Sequence, residues 1–205
     1  MMISFTPFCL FPTLVFSHGG LPSASQILTR CQQAYDSVST FEQDVLALSG
    51  KYPGTAHISF QRPGKLRATG KAIFGAAYQV LINGASTQVF NNNSWQAANS
   101  PEMGIATVTG VSGSACAQVP ALLFHTSWYS LAPDSKAHYK VTAQNLKGVP
   151  TYRLETKGEI PLTLWIDQRN YFLVRTSTVV FHTTLSVDFA PPKVNQPIPA
   201  SRFRK

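Results

Sequence analysis

Short runs of alternating apolar and polar residues, joined by tight turns, fill the stretch from Ala56 to Trp95, and this stretch constrains the fold of the chain most. Side chains alternate in direction along a β-strand, so Ile58 and Phe60 lie on one face of a predicted strand. The dipeptide Asn83-Gly84, between two such runs, indicates a tight hairpin turn. The stretch therefore predicts four or five antiparallel strands with one apolar face.

Length and composition are those of a globular protein. The 205 residues suit one domain. Only 13% of the residues are charged while 44% are apolar, which argues against a disordered chain. The 64 residues between Lys71 and Lys136 contain no Lys or Arg. This predicts a segment that lies against apolar surface or, alternatively, a buried sheet with neutral loops.

The net charge of +8 suits a nucleic acid or an anionic membrane as partner. The densest basic group comprises Arg62, Lys65, Arg67 and Lys71. It is not interleaved with aromatic residues in a nucleic-acid-binding motif, so we expect no nucleic-acid partner. A solvated hairpin end is the alternative explanation of the cluster. We expect a peripheral or transient contact with a membrane.

An apolar run, Ile3–Phe16, precedes the small and polar residues from Ser17 to Gly20. This arrangement predicts a secretory signal peptide over residues 1–20, although no Lys or Arg precedes Arg30. The run is too short, and too interrupted by proline, to span a bilayer. We therefore expect an exported protein with one mature domain over residues 21–205.

Two cysteines, Cys31 and Cys116, remain after removal of such a signal. An even pair in an exported protein predicts one disulfide. The alternative is that both are small buried apolar residues.

Ser23 and Gln26 form a capping-box pattern, and apolar residues at helical spacing follow, so residues 24–38 are predicted to be an amphipathic helix. Residues 99–120 lose the strand alternation, while 121–124 and 128–131 are expected to be short helical or irregular covering elements. The fold class is therefore α+β, mostly antiparallel β. Strands are predicted at residues 41–49, 55–62, 65–69, 72–83, 86–91, 94–96, 139–144, 151–157, 162–167, 172–181 and 185–189, with a turn at 50–54.

Arg62 has the same strand parity as Ile58 and Phe60, so its guanidinium group is directed toward the apolar side near a strand end. A charge there needs a partner, and backbone carbonyls of a covering segment are natural acceptors.

The order of these parts resembles the LolA-like family, the periplasmic carriers of outer-membrane lipoproteins and their relatives, over residues 24–205. Gln88 stands where the carriers have Trp, and Gly64 where they have Asn, so a relative of the carriers is favoured over a true carrier. The segments that carry the resemblance are Ile27–Val38, Phe41-Glu42-Gln43, Arg62-Pro63, Asn83-Gly84, Val89-Phe90-Asn91, Leu164-Trp165-Ile166-Asp167 and Asp188-Phe189-Ala190-Pro191-Pro192.

The resemblance implies a half-open, unclosed β-barrel whose helices cover an apolar cavity that holds acyl chains. It also implies that Arg62 gates this lid. We therefore expect a monomeric, non-enzymatic periplasmic binding or carrier protein for a lipid or a lipoprotein's acyl chains. The alternative is an envelope protein-interaction or stress-sensor module of the same fold. For each predicted lining residue the alternative role is plain core packing; these residues are Ile58, Phe60, Leu66, Phe74, Tyr78, Val80, Phe90, Leu122, Leu123 and Trp128.

The sequence offers little for catalysis. Its histidines are scattered, without the spacing of a zinc site. The segment Gly110–Ser114 lacks the final Gly of a nucleophile elbow. Nine carboxylates are dispersed along the chain. We expect no catalytic residues, no metal and no cofactor, and a hydrolase is the least favoured alternative.

Overall fold

The computed structural model describes residues 20–49, 52–72, 75–91, 93–112, 117–126, 131, 139–156, 161–180 and 182–205. Residues 1–19 of the predicted signal peptide lie outside the described residues, as do Phe74, Trp128 and Cys116. What the sequence predicts for them stays a prediction.

The described elements follow one another as a helix, six strands, two helices, six further strands and a short 3₁₀ helix. Their bounds are α1 Ala24–Asp36, β1 Thr40–Ser49, β2 Tyr52–Gln61, β3 Lys65–Lys71, β4 Ala77–Asn83, β5 Ser86–Asn91, β6 Ser94–Ala98, α2 Pro101–Ser112, α3 Gln118–Phe124, β7 Tyr139–Leu146, β8 Val149–Thr156, β9 Leu162–Asp167, β10 Leu173–Val180, β11 Thr183–Phe189, β12 Lys193–Val194 and the 3₁₀ helix Ala200–Phe203.

Helix α1 begins where the sequence predicts it. The Gln26 backbone N–H donates to Ser23 Oγ (3.2 Å), and the Ser23 backbone N–H donates to Gln26 Oε1 (2.9 Å). These two bonds confirm the capping box, which satisfies two otherwise free donors at the helix start. Ile27, Cys31 and Tyr35 lie on the buried side of the helix and are fully buried.

The strands form one antiparallel sheet in the order β6-β5-β4-β3-β2-β1-β11-β10-β9-β8-β7, with β12 beside β1. Strand β1 is central, because it pairs with β2 on one side and with β11 and β12 on the other. Among the described strands, β6 and β7 stand at the two ends and are not paired with each other. The predicted class, a mostly antiparallel unclosed sheet with covering helices, is confirmed.

Helices cover one face of the sheet, here called the inner face. The Tyr35 ring of α1 packs on Phe41 of β1, with centroids 5.7 Å apart. The Phe124 ring of α3 packs edge-on against Phe60 of β2, at 5.6 Å. Aromatic pairs in these geometries add to the free energy gained by burial. The core therefore lies between the helices and the inner face.

The opposite face, here called the outer face, is recognised from the strand register. Leu46 of β1 is paired with Asp188 of β11, which is paired with Arg175 of β10. Residues directly paired across strands lie on the same face. Leu46 is 40% exposed, while the adjacent inner residue Ala47 is fully buried.

Several local predictions are wrong. For the segment 99–120 the sequence predicted no element, and the structure has helix α2 there. Strand β3 continues to Lys71, and β4 begins at Ala77, because the chain turns where the Gly75 N–H donates to the Ala72 carbonyl (2.8 Å). The predicted turn at 50–54 is shorter, since β2 begins at Tyr52. After Pro192 the chain still adds β12 and the 3₁₀ helix.

Cys116, the predicted disulfide partner of Cys31, lies outside the described residues, so the disulfide stays a prediction. Cys31 lies on the core side of α1 and is fully buried. Burial in apolar surroundings raises the pKa of the Cys31 thiol to about 12. Cys31 is therefore packed among the apolar core residues.

Candidate functional site

Most of the predicted lining residues are packed in the core. They come from the inner face of β2, β3 and β4 and from α3, and they belong to one cluster of buried residues. Phe90 is half-buried and packs on Trp95, with ring centroids 5.5 Å apart. Their role as a ligand surface stays a prediction that requires the helices to move. The buried ones, all at most 3% exposed, are Ile58, Phe60, Leu66, Tyr78, Val80, Leu122 and Leu123.

Arg62 has carbonyl partners of the kind the sequence predicts. Its Nε donates to the Val38 carbonyl (2.9 Å), and its Nη2 donates to the Tyr35 carbonyl (3.1 Å). The guanidinium group also lies over the Phe60 ring, 5.3 Å from its centroid. The last carbonyls of a helix have no partner within it, so a cation there is well placed. Arg62 thus ties the end of α1 to the sheet.

A cavity of about 780 Å³ lies elsewhere, and no helix residue contributes to its wall. It opens where the tip of the β7–β8 hairpin, the β9–β10 turn and the segment after β11 meet the middle of β1 and β2. Most of its lining is apolar. The apolar lining residues are Val45, Leu46, Ala56, Leu146, Val149, Phe172, Leu173, Val174, Phe189, Ala190, Pro191 and Pro192, and the polar ones are Asp44, Thr55, Lys147, Asp167, Arg169, Asn170 and Asp188.

A ladder of side chains on the outer face links the β7–β8 hairpin to β9 and β10. The Trp165 ring lies between two guanidinium groups, 5.6 Å from Arg153 and 5.9 Å from Arg175. Trp165 Nε1 also donates to Gln144 Oε1 of β7 (2.9 Å). These contacts position the hairpin so that Lys147 at its tip reaches Asp188 of β11. The ladder thus supports the hairpin whose tip, Leu146 and Lys147, lines the cavity.

Asp188 is a charged group in the cavity wall that accepts three hydrogen bonds. It accepts hydrogen bonds from Arg175 Nε (2.5 Å), Arg175 Nη2 (2.9 Å) and Lys147 Nζ (3.1 Å). Partial burial raises the pKa of this carboxyl, but the hydrogen bonds and charges of the two cations outweigh it and leave the pKa below its ordinary value. Asp188 is therefore a carboxylate at neutral pH, with its charge compensated.

Asp167 is paired in the same manner in the β9–β10 turn. Its carboxylate accepts from Arg169 Nε (3.1 Å), Nη2 (2.9 Å) and the Arg169 backbone N–H (2.9 Å). Burial raises the pKa of Asp167, and the bonds from Arg169 outweigh burial and lower it overall. The cavity thus has mostly apolar walls, and two of its three carboxylates, Asp167 and Asp188, are neutralised by arginines.

This arrangement suits the binding of an apolar molecule. Ligand pockets of about 300–1,000 Å³ with mostly apolar walls are typical small-molecule sites. The sequence prediction missed this cavity, but one signal marks it. Val45, Leu46, Ala47 and Leu48 form an unbroken apolar run, so β1 is apolar on the outer face as well as on the inner. A strand with water on one face would have polar residues at Leu46 and Leu48.

No helix in the described part of the chain is both long and apolar enough to cross a membrane. In the same residues, no three His, Cys, Asp or Glu side chains are grouped so that they could hold a metal ion.

Comparison with known families finds one match. The family model described as "Predicted periplasmic protein (DUF2092)" matches residues 21–204. A comparison with curated proteins finds no match.

Several solved structures have a similar fold. The lipoprotein LppX of Mycobacterium tuberculosis is 14% identical, with a TM-score of 0.53 over 86% of this chain and 99% of LppX. MucB in the MucA/MucB complex of Pseudomonas aeruginosa is 13% identical, with a TM-score of 0.55 over 89% of this chain and 60% of that chain. An uncharacterized conserved protein of Thermus thermophilus is 10% identical, with a TM-score of 0.60 over 90% of this chain and 94% of that chain.

These likenesses concern the fold alone, because every identity is low. Together with the family match they agree with the predicted LolA-like architecture of a periplasmic protein, an unclosed antiparallel sheet covered by helices.

Proposed function

This chain belongs to the DUF2092 family of predicted periplasmic proteins, and we propose that it is a non-enzymatic binding protein that holds a lipid, or the acyl chains of a lipoprotein, in the apolar cavity at the β7–β8 hairpin tip. The observation that carries the proposal is the cavity itself, about 780 Å³ with largely apolar walls. Burial of apolar surface contributes about 25 cal/mol per Å², so an acyl chain needs no polar contact to be held.

The polar groups of the wall support the same proposal. Asp167 and Asp188 are each paired with a cation from the protein itself. They offer no uncompensated charge to a substrate and no acid–base pair. In this view the first twenty residues are a signal peptide that is removed on export, and the mature domain works in the periplasm.

Lipid recovery and uptake test the proposal directly. Organic extracts of the purified protein, analysed by mass spectrometry, should contain a lipid, and a fluorescent fatty acid should bind the lipid-free protein. Leu46 lies in the cavity wall and is 40% exposed. Leu46→Trp should therefore obstruct the cavity and weaken uptake of the probe by tenfold or more.

Val179→Trp is the matched control, because Val179 is 39% exposed and is not part of the cavity wall. The Val179→Trp variant should take up the fluorescent fatty acid as well as the unmodified protein does. Recovery of no lipid together with no uptake of the probe would refute the proposed function. Equal losses in both variants would refute the assigned cavity.

A second function is an envelope protein-interaction or stress-sensor module. One observation favours it: the fold is shared with MucB, whose structure was solved in complex with MucA. A pull-down from envelope extracts that yields one stoichiometric protein partner, with no bound lipid in the protein, would favour this second function over the first.

A further inference from the structure

The size of the cavity at the β7–β8 hairpin tip limits how many acyl chains it can hold. A methylene group takes up roughly the volume of a water molecule in the liquid, about 30 Å³. A cavity of about 780 Å³ therefore has room for about 26 such groups. One chain of about 16–18 carbons fits, whereas two such chains, with about 32–36 carbons, do not.

A smaller pocket offers no place for a second chain. It has a volume of about 300 Å³ and lies between the β4–β5 hairpin and the C-terminal segment, residues 193–205. By the same measure it holds only about ten methylene groups. No residue of its wall belongs to the larger cavity, so the smaller pocket does not extend the larger one.

One end of the larger cavity, here called the mouth, is open to solvent. It is marked by Leu46, which is 40% exposed, and by Lys147 and Arg169, whose side chains are 69% and 66% exposed. A lipid head at the mouth keeps its contact with water while the chain enters the cavity.

The other end is closed where the β9–β10 turn leads into β10. Phe172 and Leu173 line the cavity there, and both are buried. The Phe172 ring packs edge-on against Tyr35 of α1, with centroids 5.0 Å apart, and lies 6.1 Å from the Phe41 ring. Neither Tyr35 nor Phe41 is part of the cavity wall. Phe172 therefore separates the cavity from the core beneath α1.

Formal charges around the cavity cancel. The wall contains three carboxylates and two cations, and Arg175 adds a third cation because it binds Asp188 from outside the wall. The carboxylate that no Arg or Lys binds, Asp44, lies 2.7 Å from His57 Nδ1. Without a net charge, the cavity does not select the head of a lipid by its charge.

We propose that this cavity binds a lipid with a single acyl chain, with its head at the mouth, and that Phe172 sets the longest chain that the cavity accepts. This inference rests on the proposed function and adds the number of chains and the residue that limits their length. Each buried methylene group should strengthen binding about fourfold. Affinity should therefore rise with chain length until the chain reaches Phe172, and then level off.

Mass spectrometry of the lipids that the unmodified protein takes from mixed vesicles tests the number of chains. The vesicles contain lysophosphatidylcholine and phosphatidylcholine, which have one and two acyl chains on the same head. A two-chain lipid leaves the vesicle only by exposing the chain that the cavity cannot hold, so the one-chain lipid should be enriched by about tenfold or more. Equal recovery of the two lipids would overturn the single-chain proposal and leave the proposed function intact. If neither lipid nor the fluorescent fatty acid binds, both proposals are overturned.

A chain-length series tests the role of Phe172. Lysophosphatidylcholines of increasing length displace the fluorescent fatty acid, and the length at which affinity levels off is read from the series. Phe172→Ala removes the ring, and cores collapse only partly around such a loss. Affinity should therefore level off at chains about two to four carbons longer. Phe172→Leu retains most of the volume and the fold, and it should shift this length by about one carbon.

Leu46→Ala is the matched control, because it also shortens an apolar wall residue, but at the mouth. It should weaken the binding of all chain lengths alike without moving the levelling-off length. An unmoved length in the Phe172 variants, or an equal shift in Leu46→Ala, would overturn the role of Phe172.

The head distinguishes the possible sources of a single chain. A monoacylglycerol and a lysophosphatidylcholine with the same chain should bind within about threefold of each other, because the cavity has no net charge. A difference of about tenfold or more would overturn the placement of the head in solvent at the mouth.

Discussion

Arg62 is the residue whose contacts best connect the sequence with a mechanism. Its two hydrogen bonds hold the carbonyls of Val38 and Tyr35 at the end of α1. The proposed acyl cavity has no helix residue in its wall, so Arg62 would gate a different site, the buried core beneath α1 and α3, which a ligand could reach only after the helices move. We propose that Arg62 controls this movement.

Arg62→Leu should retain the fold and loosen α1. Hydrogen bonds to charged groups contribute about 1.5–3 kcal/mol, and their loss leaves two carbonyls without a partner. Amide hydrogen exchange in the last turn of α1 should quicken, and the rate of lipid transfer should change. Arg67→Leu is the control, because it also loses bonds to carbonyls but in the C-terminal segment. Unchanged transfer by Arg62→Leu would show that the gating role is wrong.

Asp188 should give the protein an acid-dependent stability. Its pKa is lowered in the folded state, so its ion pairs stabilise the fold fully above the ordinary pKa of 3.8 and are lost as the pH falls through the lowered value. Asp188→Asn should therefore have a lower free energy of unfolding than the unmodified protein at pH 7. This difference should shrink as the pH falls below about 4. Urea unfolding at several pH values measures this.

Lys147→Met should also lower the free energy of unfolding at pH 7, but by less than Asp188→Asn does. Lys147 makes one contact with Asp188 and is 69% exposed, whereas Arg175 makes two contacts and is 23% exposed. A deficit of Asp188→Asn that stays constant down to pH 3 would contradict the assignment.

Helix α2 is the element that the sequence predicted least well. Gly104, Gly110 and several β-branched residues lie within it, and these are poor helix formers. Its contacts with β4, β5 and β6 supply what its composition lacks. Gly104 allows α2 to lie close to β5, because a Cβ at this position would overlap Thr87 Cγ2.

Gly104→Ala should destabilise the protein by about 1–3 kcal/mol, since the added methyl group pushes α2 from the sheet. In an unhindered helix the same change would stabilise by up to about 1 kcal/mol, so the sign of the effect is the test. Gly64→Ala is the control, because nothing lies within 4 Å of a Cβ at that position. Chemical denaturation measures both variants, and a stabilised Gly104→Ala would disprove the close contact.

At the scale of the whole molecule, the C-terminal segment binds distant parts of the sheet together. Strand β12 pairs with β1, and Asn195 Oδ1 accepts from the Ser39 backbone N–H (2.8 Å). Phe203 then packs at the far side of β3 and β4. The segment therefore covers the outer face from the centre of the sheet toward its β6 edge.

Phe203→Ala should lower the free energy of unfolding by about 3–5 kcal/mol if the segment unfolds only with the rest of the domain. Leu21→Ala, at a residue that is 49% exposed, should change stability by less than about 0.5 kcal/mol. Thermal unfolding and limited proteolysis measure the two variants. An unaltered unfolding midpoint with rapid cleavage near Phe203 would show that the segment detaches independently.

The sequence by itself determined the local structure wherever the side-chain pattern was unambiguous. The capping box at Ser23 began α1, alternation placed β5 at its observed bounds, and strand parity directed Arg62 inward. These features depend on neighbours only a few residues apart. The same local reasoning missed α2, because helix formation there depends on packing against strands that are distant along the chain.

Only the tertiary structure decided where the cavities lie. The walls of the larger one bring together Leu46, Leu146 and Pro191, which are separated by long stretches of sequence. An alternating pattern shows that a residue faces an apolar region, but it is the same for a packed core and for a cavity wall. The space left empty depends on how hairpins and loops from different parts of the chain meet, and no single stretch of sequence contains that information.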